Sequence, residues 1–224
     1  MVPTMTTQCA GGRVTCSQLL FVLSFLVAGD CLAAVPVGSV AIYSDGRVEK
    51  LLAIEEGNLR WEDDRKRQFV RSPNPVVPAL TRIDFLSKRG YQQRVSSGDP
   101  DALLEASAGT PVEFSVTRVQ HDGVRSVRHW ECVLEGTTQD RIAGKVRELD
   151  QYVCERFTIH RKFWHREFRE KREFSYSPDL GLVVDLRRQT RTKSYRRKLV
   201  KLLPPDKASY KRITRTLKKL RPQR

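Results

Sequence analysis

Two Asp-Gly pairs, Asp45-Gly46 and Asp122-Gly123, each stand between runs rich in Val, Ile, Phe and Tyr, and this pattern commits the chain to antiparallel hairpins. Asp-Gly supplies the left-handed backbone that a tight two-residue turn demands, and its twist matches that of the strands it joins. Around the first pair, residues 40–43, 48–54 and 59–61 form a meander. Around the second, a strand at 111–120 turns into its partner at 124–134, and Asp179-Leu180-Gly181 makes a third turn after Ser177-Pro178. The stretch 136–144 reads as a turn, followed by a long β-type region over 149–164 and a return strand. Pro73, Pro75 and Pro78 make 71–78 an extended connection, because proline removes a donor and biases its predecessor away from helix. Strands follow near 79–86 and 91–96, and Asp99-Pro100 predicts one short helix near 100–106. The expected fold class is therefore mainly β, with antiparallel sheets built from hairpins into a curled half-barrel or a sandwich. This domain spans 34–203, with 38–96 and 111–203 as candidate halves. Pro204-Pro205 then ends the last strand, and Asp206 caps a basic C-terminal helix over 204–224 with Tyr210, Ile213, Leu217 and Leu220 at helical spacing.

The apolar run at 19–28 is too short to cross about 30 Å of hydrocarbon at about 1.5 Å per residue, but has the length of a signal-peptide core. Arg13 precedes it, no acidic residue does, and Ala33-Ala34 offers small residues for cleavage. We read 1–33 as a signal peptide and the mature protein as periplasmic or secreted, without a transmembrane span; inner-membrane anchoring by an uncleaved signal is the alternative. Asp30 directly before Cys31 argues against a lipid-acceptor cysteine. Cleavage removes Cys9, Cys16 and Cys31, and the remaining Cys132 and Cys154 suggest one disulfide in an oxidising compartment. Their faces pose a problem. Cys132 shares a strand face with Trp130 and Leu134, whereas Cys154 lies opposite the more apolar row Val153, Phe157, Ile159. Either the second sheet face is covered, as in a sandwich, or a bulge shifts the register.

Trp130, Cys132, the Val153-Cys154 strand and the run Tyr176-Ser177-Pro178-Asp179-Leu180-Gly181-Leu182-Val183 resemble a group of uncharacterised proteobacterial periplasmic β-rich domain proteins. In that group a strand ending in an aromatic-x-Pro-x-x-Gly turn follows a strand with a paired Cys or small residue. The resemblance covers about 111–203; it implies a β-rich envelope protein and carries over no catalytic residue.

A hydrophobic content of 39% is too high for a disordered chain. The formal charge of +15 is concentrated: from Arg187 to Arg224 sixteen Lys and Arg face the single Asp206, so the rest of the chain is neutral. Such a segment is a local polycation. Arg187, Arg188, Arg191, Lys193, Arg196, Arg197, Lys198 and Lys201 are candidate contacts to an anionic surface, followed by Lys211, Arg212, Arg215, Lys218 and Lys219. The partners this predicts are anionic lipid, lipopolysaccharide or an acidic envelope protein; the export signal disfavours nucleic acid.

Other candidates carry less. His129 and Cys132, three apart on a strand, point to opposite faces and cannot form a nucleophile–base pair. His160 and His165, five apart, fail as a metal pair by the same parity. Asp63 and Asp64 beside Arg65, Lys66 and Arg67 read as a solvated turn. No catalytic motif, metal site or cofactor site is found. The expectation is a non-enzymatic periplasmic binding or scaffolding protein of unknown ligand, with an envelope hydrolase or transferase, or a basic nucleic-acid-binding protein, as alternatives.

Overall fold

The computed structural model describes residues 35–160 and 165–220, so the apolar run, its cleavage site and the first three cysteines lie outside the described residues. The Asp-Gly pairs sit in the turns that join β1 (Val40–Tyr43) to β2 (Val48–Glu55) and β7 (Pro111–Gln120) to β8 (Arg125–Ile142). Between them run β3 (Asn58–Asp63), β4 (Arg67–Arg71), β5 (Thr81–Asp84) and β6 (Arg89–Gly98), with a one-turn helix α1 (Ala102–Glu105). The second half continues through β9 (Lys145–His160), β10 (His165–Ser177), β11 (Leu182–Thr190) and β12 (Ser194–Leu203). Each strand pairs antiparallel with its neighbour in sequence, and β1 pairs with β12, Val40 opposite Leu203, to close a 12-strand barrel.

Closure corrects the expected half-barrel or sandwich. Register shifts interrupt the ladders at Ile42/Tyr43, Leu51/Ala53, Val95/Ser97, Leu134/Gly136, Phe168/Glu170 and Ser175/Tyr176. Each extra residue bends its strand and raises the local twist, so the sheet rolls until its two edges meet and both are satisfied. Two other expectations change for local reasons. Residues 136–144 are mostly strand: Gly136 marks a bulge, and the turn is only Ala143-Gly144, both left-handed at φ 52° and 90°. The charged run after Trp61 is no solvated turn, because buried Asp63 accepts the backbone N–H groups of Arg65 and Arg67 at 3.0 Å each and Arg67 Nε at 2.8 Å. That turn launches β4, which the sequence reading lacked.

Inside the barrel, Leu51, Trp61, Leu182, Val184 and Leu199 belong to one apolar cluster. A second gathers Phe114, Trp130, Tyr152 and Phe174, and receives Val76 from the proline-rich connection and Leu103 from α1. Asn74 ties that connection to the α1 segment by donating to the Pro100 carbonyl at 3.0 Å and to Asp101 at 2.7 Å. Cys132 and Cys154 are bridged directly across β8 and β9, with Cα atoms 4.1 Å apart. Both belong to the inner cluster, and the apolar row of β9 that misled the parity reading faces outward.

A 3₁₀ turn (Pro205–Lys207) precedes helix α2 (Tyr210–Leu220), so Asp206 lies within that turn and is not the helix cap. Ala208, Ile213, Leu217 and Leu220 pack on Val40, Ile42 and Leu203, outside the barrel and across the seam between β1 and β12. Tyr210 leaves this stripe and is 84% exposed. Leu217→Ala should therefore cost only about 1 kcal/mol, the transfer value of a half-buried leucine. Hydrogen exchange should quicken in α2 while β8 and β9 keep their protection; equal loss in both would show the helix to be part of the barrel's cooperative core.

The outer wall carries charge. Arg166 bridges Glu113 at 2.6 Å and Glu131 at 3.0 Å, and Glu173 takes Lys171 and Arg187. Among the described residues no helix is long and apolar enough to cross a membrane.

Candidate functional site

Strand alternation puts arginines on the same face as the core aromatics. Arg118 follows Phe114 and Val116 at even spacing on β7, Arg128 precedes Trp130 and Cys132 on β8, and Arg156 follows Tyr152 and Cys154 on β9. On β10, Arg172 precedes Phe174. Together with residues of the proline-rich connection, inward arginines line a cavity of about 350 Å³ within the barrel.

These arginines divide by their partners. Glu49, fully buried on β2, takes Arg71 in a two-toothed contact at 2.9 and 3.1 Å, Arg197 at 3.2 Å and Arg47 at 3.8 Å. Burial alone would raise the Glu49 pKa, but Arg71 and Arg197 bring it down to about 2. Glu170 on β10 is held by Arg172 and Arg188, both at 2.6 Å, and by Arg156 at 3.3 Å. Its pKa also falls to about 2, the arginines outweighing burial. Arg82, Arg118 and Arg128 have no carboxylate partner among the described residues. Desolvation, reinforced by Arg118 and Arg156, pushes the Arg128 pKa down to about 10, and burial beside Arg82 and Arg156 lowers that of Arg118.

Aromatic rings hold several of these groups by the face. Arg118 stacks 3.4 Å from the Tyr91 ring centroid, Arg172 4.5 Å from Trp130 and Arg197 4.6 Å from Tyr43, while Arg82 lies 5.9 Å from Phe69. Tyr43 itself is pushed up to about 12, first by burial and then by Glu49.

The basic C-terminal stretch proves to be three populations. Arg187, Arg191, Arg196 and Lys198 are neutralised on the outer wall by Glu173 at 3.4 Å, Glu167 at 3.0 Å, Asp185 at 2.7 Å and Asp140 at 2.6 Å. Arg188 and Arg197 turn toward the cavity, to Glu170 and Glu49. Lys193, Lys201, Lys211, Arg212, Arg215, Lys218 and Lys219 are exposed and make no ion pair among the described residues. A continuous basic face from Arg187 is thus replaced by a patch on the end of β12 and on α2. There a groove of about 670 Å³ is floored by Leu202, Leu203 and Leu220 and rimmed by Lys201, Lys207, Arg212, Arg215 and Lys219.

The inward arginines of β4 to β10 were missed, although their shared parity with Trp130, Tyr152 and Phe174 was present in the sequence. His129 faces away from the bridged Cys132, and its Nδ1 pairs with Ser115 Oγ at 2.9 Å. No carboxylate hydrogen-bonds His129 among the described residues, so this outer-wall pair lacks the orienting third group of a nucleophile triad. His160 and His165 are direct cross-strand partners of β9 and β10, which corrects the parity reading: they lie on two strands. His160 Nε2 meets Glu167 at 2.9 Å, and no cluster of three metal-ligating side chains occurs among the described residues.

No family model and no curated protein matches the chain. Among solved structures it is similar to the hypothetical lipoprotein YmcC of Escherichia coli K12, with 13% identity, 75% of this chain and 86% of that one covered, and a TM-score of 0.49. It is also similar to a Bacteroides fragilis protein described as having a YmcC-like fold, with 10% identity, 75% and 97% covered, and a TM-score of 0.41.

Proposed function

We propose that this is a non-enzymatic, periplasmic or secreted binding or scaffolding protein that rests on an anionic lipid surface through the patch formed by β12 and α2. The observation that carries this reading is the groove beside α2: five cations rim it, no carboxylate lines it, and its floor is leucine. Cations over an apolar floor suit a phosphate headgroup with its acyl chain beside it, and attraction of this kind fades within about 8 Å at physiological salt. The four wall cations already bound to Glu167, Glu173, Asp185 and Asp140 contribute little to it. The export part of the reading rests on the apolar run at 19–28 and on the paired cysteines.

Sedimentation with vesicles tests this. The protein should pellet with phosphatidylglycerol vesicles and not with phosphatidylcholine, and raising salt should release it. The triple variant Arg212→Glu, Arg215→Glu, Lys219→Glu should weaken binding at least tenfold, with the melting temperature little changed. Equal binding by the variant, or tighter binding to a short DNA duplex than to the vesicles, would overturn the reading.

A further inference from the structure

We propose that the arginine-lined cavity inside the barrel is a second binding site, for a small soluble ligand bearing at least two phosphate or carboxylate groups. The site stands apart from the surface patch and holds whether or not α2 meets lipid. Eight arginines line the cavity, and two buried carboxylates behind them, Glu49 and Glu170, pair with five of the eight: Arg47, Arg71 and Arg197 with the first, Arg172 and Arg188 with the second. Arg82, Arg118 and Arg128 are left over on three strands that curve round one wall. A barrel that needed only a packed interior would place apolar side chains there, because an uncompensated buried charge costs more than it returns.

Two further observations point to an acceptor. The Nε atom of Arg118, which lines the cavity, is buried with no hydrogen-bond partner. Buried donors in native proteins are almost always satisfied, so those left orphaned in a cavity mark where a ligand atom belongs. Second, Tyr91 covers the face of Arg118, which lines the cavity and has no carboxylate on its in-plane N–H edges among the described residues. Those edges are the part of a guanidinium that binds an oxyanion by paired hydrogen bonds. About 350 Å³ accommodates a ligand the size of pyrophosphate or citrate. One monoanion would leave most of the excess charge unanswered, which is why the ligand is assigned more than one anionic group.

Calorimetric titration of the whole purified protein with pyrophosphate and with citrate tests the proposal, with chloride matched for ionic strength as the control. Saturable binding of at least one of the two is expected, together with a rise in melting temperature that chloride does not reproduce. The double variant Arg118→Gln, Arg128→Gln should lose affinity at least tenfold. Without ligand it should melt at the wild-type temperature or above, because it sheds two unpaired, partly buried charges. Should that variant fail to fold, Arg82→Gln on β5, which lines the same cavity, should show the same direction of both effects. The α2 triple variant should bind the soluble anion as well as wild type does, which separates this site from the vesicle-binding patch. Absence of saturable binding of both probes, unchanged affinity in the arginine variants, or loss of affinity in the α2 variant would overturn the proposal.

Discussion

Glu49→Gln is expected to cost about 3–5 kcal/mol of folding stability, the range seen when one member of a buried ion pair is removed and the other is left behind. The carboxylate is fully buried and takes a two-toothed contact from Arg71 and a further one from Arg197, so the amide leaves two partly buried guanidinium groups without their counter-charge. For a domain of this size the loss corresponds to a fall in melting temperature on the order of 10 °C. The same chemistry sets an acid limit. Glu49 and Glu170 both titrate near 2 in the folded chain, below the value of about 4.3 for a free glutamate. A carboxylate depressed in the folded state contributes stability that is fully present above its unfolded value and is lost as pH falls toward the folded one. Wild-type stability should therefore drop between about pH 4 and pH 2, with up to about 3 kcal/mol attached to each glutamate. In Glu49→Gln part of that acid slope should vanish. Denaturant melts at pH 7, 4 and 2.5 measure both effects, and an acid slope identical in the variant and wild type would remove Glu49 from the account.

The double variant Cys132→Ala, Cys154→Ala should lose about 3 kcal/mol, the chain-entropy value for freeing a loop of this size. The two residues are 22 apart in sequence and lie side by side on β8 and β9, whose ladder extends well beyond them in both directions. The bridge therefore fixes a register that the ladder already prefers, and its effect should come from the unfolded chain more than from the folded one. Folding rate should fall little and unfolding in denaturant should begin at lower concentration. Both cysteines are buried, so reduction of the intact native protein should be slow and should follow global unfolding. Rapid reduction at pH 8 without loss of structure, or a stability loss below about 0.5 kcal/mol in the variant, would contradict this account.

How far the molecule could be read from its residues differs between the wall and the lumen. The hairpins at Asp45-Gly46 and Asp122-Gly123 were legible because the turn chemistry is local. Closure was not, because the bulges that curl the sheet, such as those at Val95/Ser97 and Phe168/Glu170, leave no mark in composition or spacing. The lumen was hidden by an assumption that the buried face is the apolar one. On β9 and β10 the inner row reads Tyr152, Cys154, Arg156 and Glu170, Arg172, Phe174, a mixture that alternation arguments discard. Arg188 and Arg197 were noticed for their charge and placed with the surface cluster, since nothing in a run of basic residues says which alternate members find Glu170 and Glu49 across the barrel.

The pairing of β1 with β12 joins residues about 160 positions apart, while every other ladder joins neighbours in sequence. Eleven hairpin contacts can therefore form one after another as the chain is made, and the last must wait for β12. Until then β1 presents an edge with unpaired backbone groups, and so does whichever strand was added last, both capable of recruiting a second copy. Helix α2 lies immediately after β12 and clamps across that same seam through Ile213 and Leu217. It acts as the fastening of a structure otherwise assembled from local pieces. Its removal should be felt less in the equilibrium melt than in the yield of refolding, where unsealed barrels compete with intermolecular pairing.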